Sequence, residues 1–83
     1  MRDTGFATEI KTVSDQFGQT IERIFVKEYQ RDEIRFSWWK DGRLAPRPLD
    51  LPESELLPLM KDAIKNGVFS PEFIAGLRDA LKG

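Results

Sequence analysis

Apolar and polar residues alternate in the first half of the chain, and apolar residues recur at helical spacing in the second half. A weak alternation over residues 6–13 predicts a strand, and residues 1–4 are expected to form a flexible tip. Residues 24–29 and 34–39 are rich in β-branched and aromatic side chains. The short polar stretch at residues 30–33 predicts that these two segments form a hairpin.

Turn-forming residues bound these strands. Residues 15–19 are typical of a turn, and Asp41-Gly42 is a dipeptide that tolerates the positive φ angles of tight hairpins. A returning strand is expected over residues 44–51. Because Pro46 and Pro48 cannot donate hydrogen bonds to a neighbouring strand, it is expected to be irregular or to lie at an edge.

The C-terminal half predicts two helices. One apolar stripe consists of Leu56, Leu59, Met60, Ala63 and Ile64. Pro58 allows two interpretations, a separate short turn over residues 52–57 or one kinked helix. Asn66-Gly67 is a helix-ending signal, and Ser70 and Pro71 predict the start of a second helix over residues 70–81. Strands followed by helices predict an α+β fold, with a polar segment at 1–20, the sheet and main helix at 21–67, and a C-terminal helix at 68–83.

The composition narrows the range of possible functions. The 83-residue chain contains no cysteine and no histidine, which removes disulfides, common zinc sites, thiol nucleophiles and histidine bases. We therefore expect a protein that is not an enzyme. So small a chain has a marginal core of its own, and we expect a homodimer.

Charge and hydropathy indicate where the chain acts. No apolar run approaches the ~20 residues of a membrane span, so we expect no membrane association and a cytoplasmic location, near the nucleoid if the source is bacterial. The net charge is −1, yet residues 34–47 carry four cations and one acid, and residues 48–83 carry four cations and six acids. The positive charge lies in the middle of the chain.

Alternation along the two central strands predicts two different faces. Ile24 and Val26 are expected to join Ile34, Phe36 and Trp38 on an apolar face that packs on a helix. The other face would carry rings and cations, namely Phe25, Lys27, Tyr29, Arg35 and Trp39. Rings that stack on bases beside cations that follow phosphates are typical of single-stranded nucleic-acid binding. The alternative is a structural role for the aromatic residues, in a core or a dimer interface.

An ordered set of motifs supports the first interpretation. Glu33-Ile34-Arg35, Trp38-Trp39, Asp41-Gly42, Leu-Asp-Leu-Pro-Glu at 49–53 and a leucine-rich stretch at 56–60 resemble the positive cofactor 4 family of transcriptional coactivators and its bacterial relatives. The resemblance covers residues 22–66. It implies a curved four-stranded antiparallel sheet followed by a helix, a dimer formed mainly through the helices, and binding of single-stranded or melted DNA without a metal or cofactor.

The resemblance also implies which residues contact nucleic acid, and this chain departs from the family pattern in three places. Proline flanks Arg47 where the family has a run of lysines, and the aromatic pair is one residue farther from the strand arginine. Which tryptophan faces the ligand is therefore open. The helix at 70–81 has no counterpart, and it could extend the dimer, cover the groove or bind another protein. The implied contact residues are Lys27, Tyr29, Arg35, Trp38, Trp39, Lys40, Arg43 and Arg47.

Two functions follow as hypotheses. The first is a non-catalytic protein that binds single-stranded DNA or RNA in transcription regulation or DNA maintenance. The alternative is a dimeric protein-interaction module on the same fold without nucleic-acid affinity, which the pI of about 5.4 favours. Its contact surface would include Phe69, Phe73, Ile74 and Leu77.

Overall fold

The computed structural model describes residues 5–83, and the tip expected at residues 1–4 lies outside them. The α+β fold is confirmed: an antiparallel sheet precedes two helices. The described chain divides into two compact units at Glu53 and Ser54. The elements are β1 (Ala7–Ser14), β2 (Gln19–Val26), β3 (Arg31–Lys40), β4 (Arg43–Leu44), β5 (Leu49–Leu51), α1 (Glu53–Lys65) and α2 (Pro71–Lys82).

The first three strands form an antiparallel meander, and the outer side of β3 pairs with two short strands. β5 pairs with residues 34–36, and β4 pairs with Trp39 and Lys40. The strand predicted over residues 44–51 is therefore interrupted. Residues 45–48, which include both prolines, leave the ladder because proline has no N–H to donate.

The predicted position of the β2–β3 turn is wrong by three residues. The loop covers residues 27–30, with Gln30 at φ 52°, and β3 already begins at Arg31. Arg31 lies opposite Val26, and its guanidinium lies 2.7 Å from the Glu33 carboxylate. Cross-strand pairing thus outweighs the weak strand preference of these polar residues. Lys27 and Tyr29 lie in the loop rather than on a strand.

The expected division of the two sheet faces is also wrong. Glu22 lies opposite Arg35 and Ile24 lies opposite Glu33, and directly opposed residues share a face. Ile24 therefore shares its face with Arg35, and Phe25 lies on the other side. The buried face contains Ala7, Thr20, Glu22, Ile24, Val26, Glu33, Arg35 and Ser37. The opposite face, which we name the groove face, contains Val13, Ile21, Phe36, Trp38 and Leu49.

Both helices follow the local signals. α1 is one helix that continues through Pro58, so the separate turn at 52–57 does not form. Gly67 follows it with φ 73°. The Ser70 hydroxyl accepts a hydrogen bond of 3.1 Å from the Phe73 N–H at the start of α2, which confirms the predicted cap. Neither helix in the described part of the chain has the length and apolar character that membrane crossing requires.

Candidate functional site

An apolar row crosses four strands on the groove face. Val13 lies opposite Ile21, Ile21 opposite Phe36, and Phe36 opposite Leu49. Three steps between strands make this row about 14 Å long. Val13 is 71%, Ile21 55% and Leu49 52% exposed. The row therefore presents to solvent the kind of apolar side chains that an antiparallel sheet normally buries.

The row forms the wall of an open groove with a volume of about 880 Å³. Trp38, 50% exposed, stands at one end of this groove, two residues along β3 from Phe36. Arg47 and Asp15 supply the charged groups of the lining. Trp38 also lines a second open cleft of about 570 Å³, whose other walls include Lys40 and Arg43. The tryptophan ring therefore stands between an apolar groove and a basic turn.

Three basic side chains lie near Trp38, at Lys40, Arg43 and Arg47. Lys40 and Arg43 lie opposite each other across the Asp41-Gly42 turn, where both turn residues have positive φ, as predicted for that dipeptide. Within residues 5–83, neither these two side chains nor Arg47 forms a salt bridge.

Arg47 occupies an unusual backbone conformation. Its φ is 61°, a left-handed geometry that costs a residue other than glycine about 1–2 kcal/mol. Strain of this kind is often found where a side chain is held for a ligand. Here it accompanies an arginine that lines the groove between two prolines.

Arg35 is placed differently from the expectation for a phosphate contact. It lies on the buried face, and its Nε and one terminal nitrogen donate to the two Asp50 carboxylate oxygens at 2.8 and 2.9 Å. This hydrogen-bonded pairing raises the pKa of the Arg35 guanidinium. Only 7% of the side chain is exposed. Its donors stabilise the sheet and do not reach the groove.

The two tryptophans point to opposite sides of β3, because successive strand residues alternate. Trp38 lies on the groove face. Trp39 lies on the side of Arg35 and is half-buried, and its backbone N–H donates to the Gly18 carbonyl at 2.8 Å.

Lys27 and Tyr29 lie at the far end of the sheet. The Arg31 guanidinium covers the Tyr29 ring, with its carbon 4.9 Å from the ring centre. Trp38 lies seven positions along β3 from Arg31, a distance of about 23 Å on an extended strand. The structure thus brings together Trp38, Lys40, Arg43 and Arg47, and it does not bring Lys27, Tyr29, Arg35 or Trp39 to the same groove.

The turn between β1 and β2 closes the groove at Asp15. The Asp15 carboxylate accepts hydrogen bonds from the Gln19 side-chain amide at 2.6 Å and from the Gln19 and Phe17 backbone N–H groups at 2.8 and 2.9 Å. These donors, the Gln19 side chain foremost, lower the pKa of Asp15. Gly18 has φ +83°, and a Cβ there would lie 2.6 Å from the Trp39 carbonyl oxygen. This turn therefore fixes the end of β3.

The buried face uses its polar groups within the protein. Glu22 Oε2 accepts a hydrogen bond of 2.7 Å from Thr12, while Oε1 has no hydrogen-bond partner in the described chain. The Thr20 and Ser37 hydroxyls bond to each other. No cluster of three or more potential metal-ligating side chains occurs among residues 5–83. The groove itself presents the Trp38 ring, the apolar row and the charges of Arg47 and Asp15.

Sequence reasoning did not single out Val13, Ile21 and Leu49 as site residues. Each is isolated in the sequence, and only the strand register aligns them with Phe36. The signal available in the sequence was weak, because Val13 and Ile21 are single apolar residues between polar neighbours. Comparison with known proteins finds no family model, no curated protein and no solved structure that matches this chain.

Proposed function

We propose that this chain is a non-catalytic protein that binds single-stranded nucleic acid on its groove face, in transcription regulation or DNA maintenance. The observation that carries the proposal is the half-exposed Trp38 ring beside an apolar groove, with three nearby cations that form no ion pair within residues 5–83. The resemblance of residues 22–66 to the positive cofactor 4 family agrees with it. A cytoplasmic location belongs to the same proposal.

Each group has a distinct task in this mechanism. Bases stack on Trp38 and extend over the apolar row, and stacking contributes about 1–3 kcal/mol per base. Arg47 contacts phosphates at the groove, and Lys40 and Arg43 contact them beyond the tryptophan. A single strand fits this surface because its bases are free to turn towards the sheet, whereas those of a duplex are paired and stacked inside.

The experiment compares two exposed aromatic residues. Trp38→Ala should weaken the binding of a fluorescently labelled single-stranded oligonucleotide about 5- to 150-fold in an anisotropy titration. Tyr29→Ala is the matched control, since Tyr29 is 56% exposed at the other end of the sheet, and it should leave the affinity unchanged. Unchanged binding by the Trp38 variant would contradict the proposal.

Salt provides an independent test of the phosphate contacts. Three cations on a single strand predict a slope of about −2 in log affinity against log salt, and Arg47→Ala should reduce its magnitude by about 0.7. Affinity that is insensitive to salt would argue against the electrostatic part of the mechanism.

A second proposal concerns the surface of the two helices. α1 and α2 contain no buried residue, and Leu57, Leu59, Phe73 and Leu81 are each at least half exposed. We propose a homodimer formed through the helices, with α2 as an additional surface for a protein partner. Light scattering during size-exclusion chromatography tests the dimer, and a monomer at micromolar concentration would contradict it.

A further inference from the structure

The lining of the groove indicates which bases it accepts. Across the four-strand row, every side chain that meets the groove is a hydrocarbon: Val13, Ile21, Phe36 and Leu49. Of the polar residues of the lining, Asp15, Gln19 and Arg47 lie outside the row, and Thr20 and Ser37 lie next to it on the buried face. Asp15 and Gln19 are hydrogen-bonded to each other, and the Thr20 and Ser37 hydroxyls to each other. The middle of the groove therefore offers apolar contact and few free donors or acceptors.

An apolar surface of this kind distinguishes bases by their hydrocarbon groups. Among the common bases only thymine carries a methyl group, on C5, and aliphatic side chains recognise it by direct contact. Uracil has the same ring and the same hydrogen-bonding groups without that methyl. Burying one additional carbon in an apolar site strengthens binding about fourfold.

We infer that the groove selects thymine-containing single strands, with the row of Val13, Ile21, Phe36 and Leu49 receiving the C5 methyl groups. This inference rests on the proposed function and deepens it. The charges agree with such an occupant, because Arg47 in the lining and the nearby Lys40 and Arg43 carry no ion pair within residues 5–83 and can follow the phosphates.

The test compares oligo-dT with oligo-dU of equal length on the same deoxyribose backbone, so that the ligands differ by the methyl groups alone. The full chain should bind oligo-dT about fourfold more tightly for each methyl group seated in the row. Equal affinity for the two ligands would overturn the inference while leaving the proposed function intact. If neither ligand binds, the proposed function itself fails.

A pair of variants locates the effect. Ile21→Thr keeps a β-branched side chain on the strand but makes the row polar, and it should weaken oligo-dT binding more than oligo-dU binding, so that the preference for oligo-dT falls. Ile10→Thr is the matched control, because Ile10 is 43% exposed and does not line the groove. A preference for oligo-dT that persists in Ile21→Thr would overturn the role given to the row.

Discussion

The two faces of the sheet depart from the usual division of polar and apolar residues. Antiparallel sheets usually bury an apolar face and expose a polar one. Here Glu22, Glu33 and Arg35 are 2%, 4% and 6% exposed, while Ile21 and Trp38 are half exposed on the opposite side. The buried charges therefore serve the fold, and the exposed apolar side chains remain available to a partner.

This difference has a physical basis. Most charged groups on the buried face are paired, as burial requires, and Arg35 donates to Asp50 through its Nε and one terminal nitrogen. An exposed apolar patch rimmed by charge is typical of an interaction surface. Changes on the buried face should therefore lower stability, and changes on the groove face should lower affinity.

Arg35→Met should have the largest effect on this comparison. It leaves the largely buried Asp50 carboxylate unpaired, and removing one partner of a buried ion pair costs about 3–5 kcal/mol of unfolding free energy. Urea unfolding at neutral pH measures the loss. Arg43→Met is the matched control on the exposed turn, and it should change stability by less than about 0.5 kcal/mol.

A second substitution separates the lost pair from the lost side chain. Arg35→Met combined with Asp50→Leu replaces the ion pair with apolar groups, a change that is often neutral or stabilising for buried pairs. The double variant should recover most of the stability. If it remained as unstable as Arg35→Met alone, the unpaired Asp50 would not be the cause.

Gly18→Ala should have the next largest effect on stability, because Gly18 contacts the backbone of β3 at Trp39, the residue after Trp38. The substitution combines a left-handed backbone with a Cβ 2.6 Å from the Trp39 carbonyl oxygen, and we expect a loss of about 3 kcal/mol in urea unfolding. Gly42→Ala has a similar φ of +75° and open space around the new Cβ. It should cost only about 1 kcal/mol, and equal losses at the two glycines would refute the steric argument.

The features that the sequence predicted correctly depend on neighbouring residues. The Asp41-Gly42 turn and the Ser70 cap each involve a few adjacent residues whose backbone preferences are strong. The β2–β3 register is different, since it depends on pairing between Val26 and Arg31 and on the ladder beyond them. Local strand preference placed the turn over the polar residues 30–33. The wrong division of the faces has a different cause: it follows from grouping the apolar residues of the two strands on one face, whereas the register pairs Ile24 with Glu33.

In the candidate site, too, the sequence predicted what neighbouring residues determine and missed what depends on distant pairing. Trp38, Lys40 and Arg43 are close in sequence, and the structure keeps them together around one cleft. Arg35 pairs with Asp50, fifteen residues away, so no local pattern showed that its charge is already used. The row from Val13 to Leu49 required the register of four strands.

A substitution of Asp15 should have the smallest effect on stability, because its side chain is an exposed group at the end of the groove. Its pKa lies below the ordinary value of 3.8, so its contribution to stability is present above that value and is lost as the pH falls through the folded-state pKa. Asp15→Asn keeps one acceptor oxygen but loses the charge, and it should lower the urea midpoint slightly at neutral pH. The difference from the original chain should narrow below about pH 4 and then vanish. An NMR titration of the Asp15 carboxyl group should give a midpoint below 3.8, and a midpoint at or above that value would show that the Gln19 side chain does not stabilise the charged form.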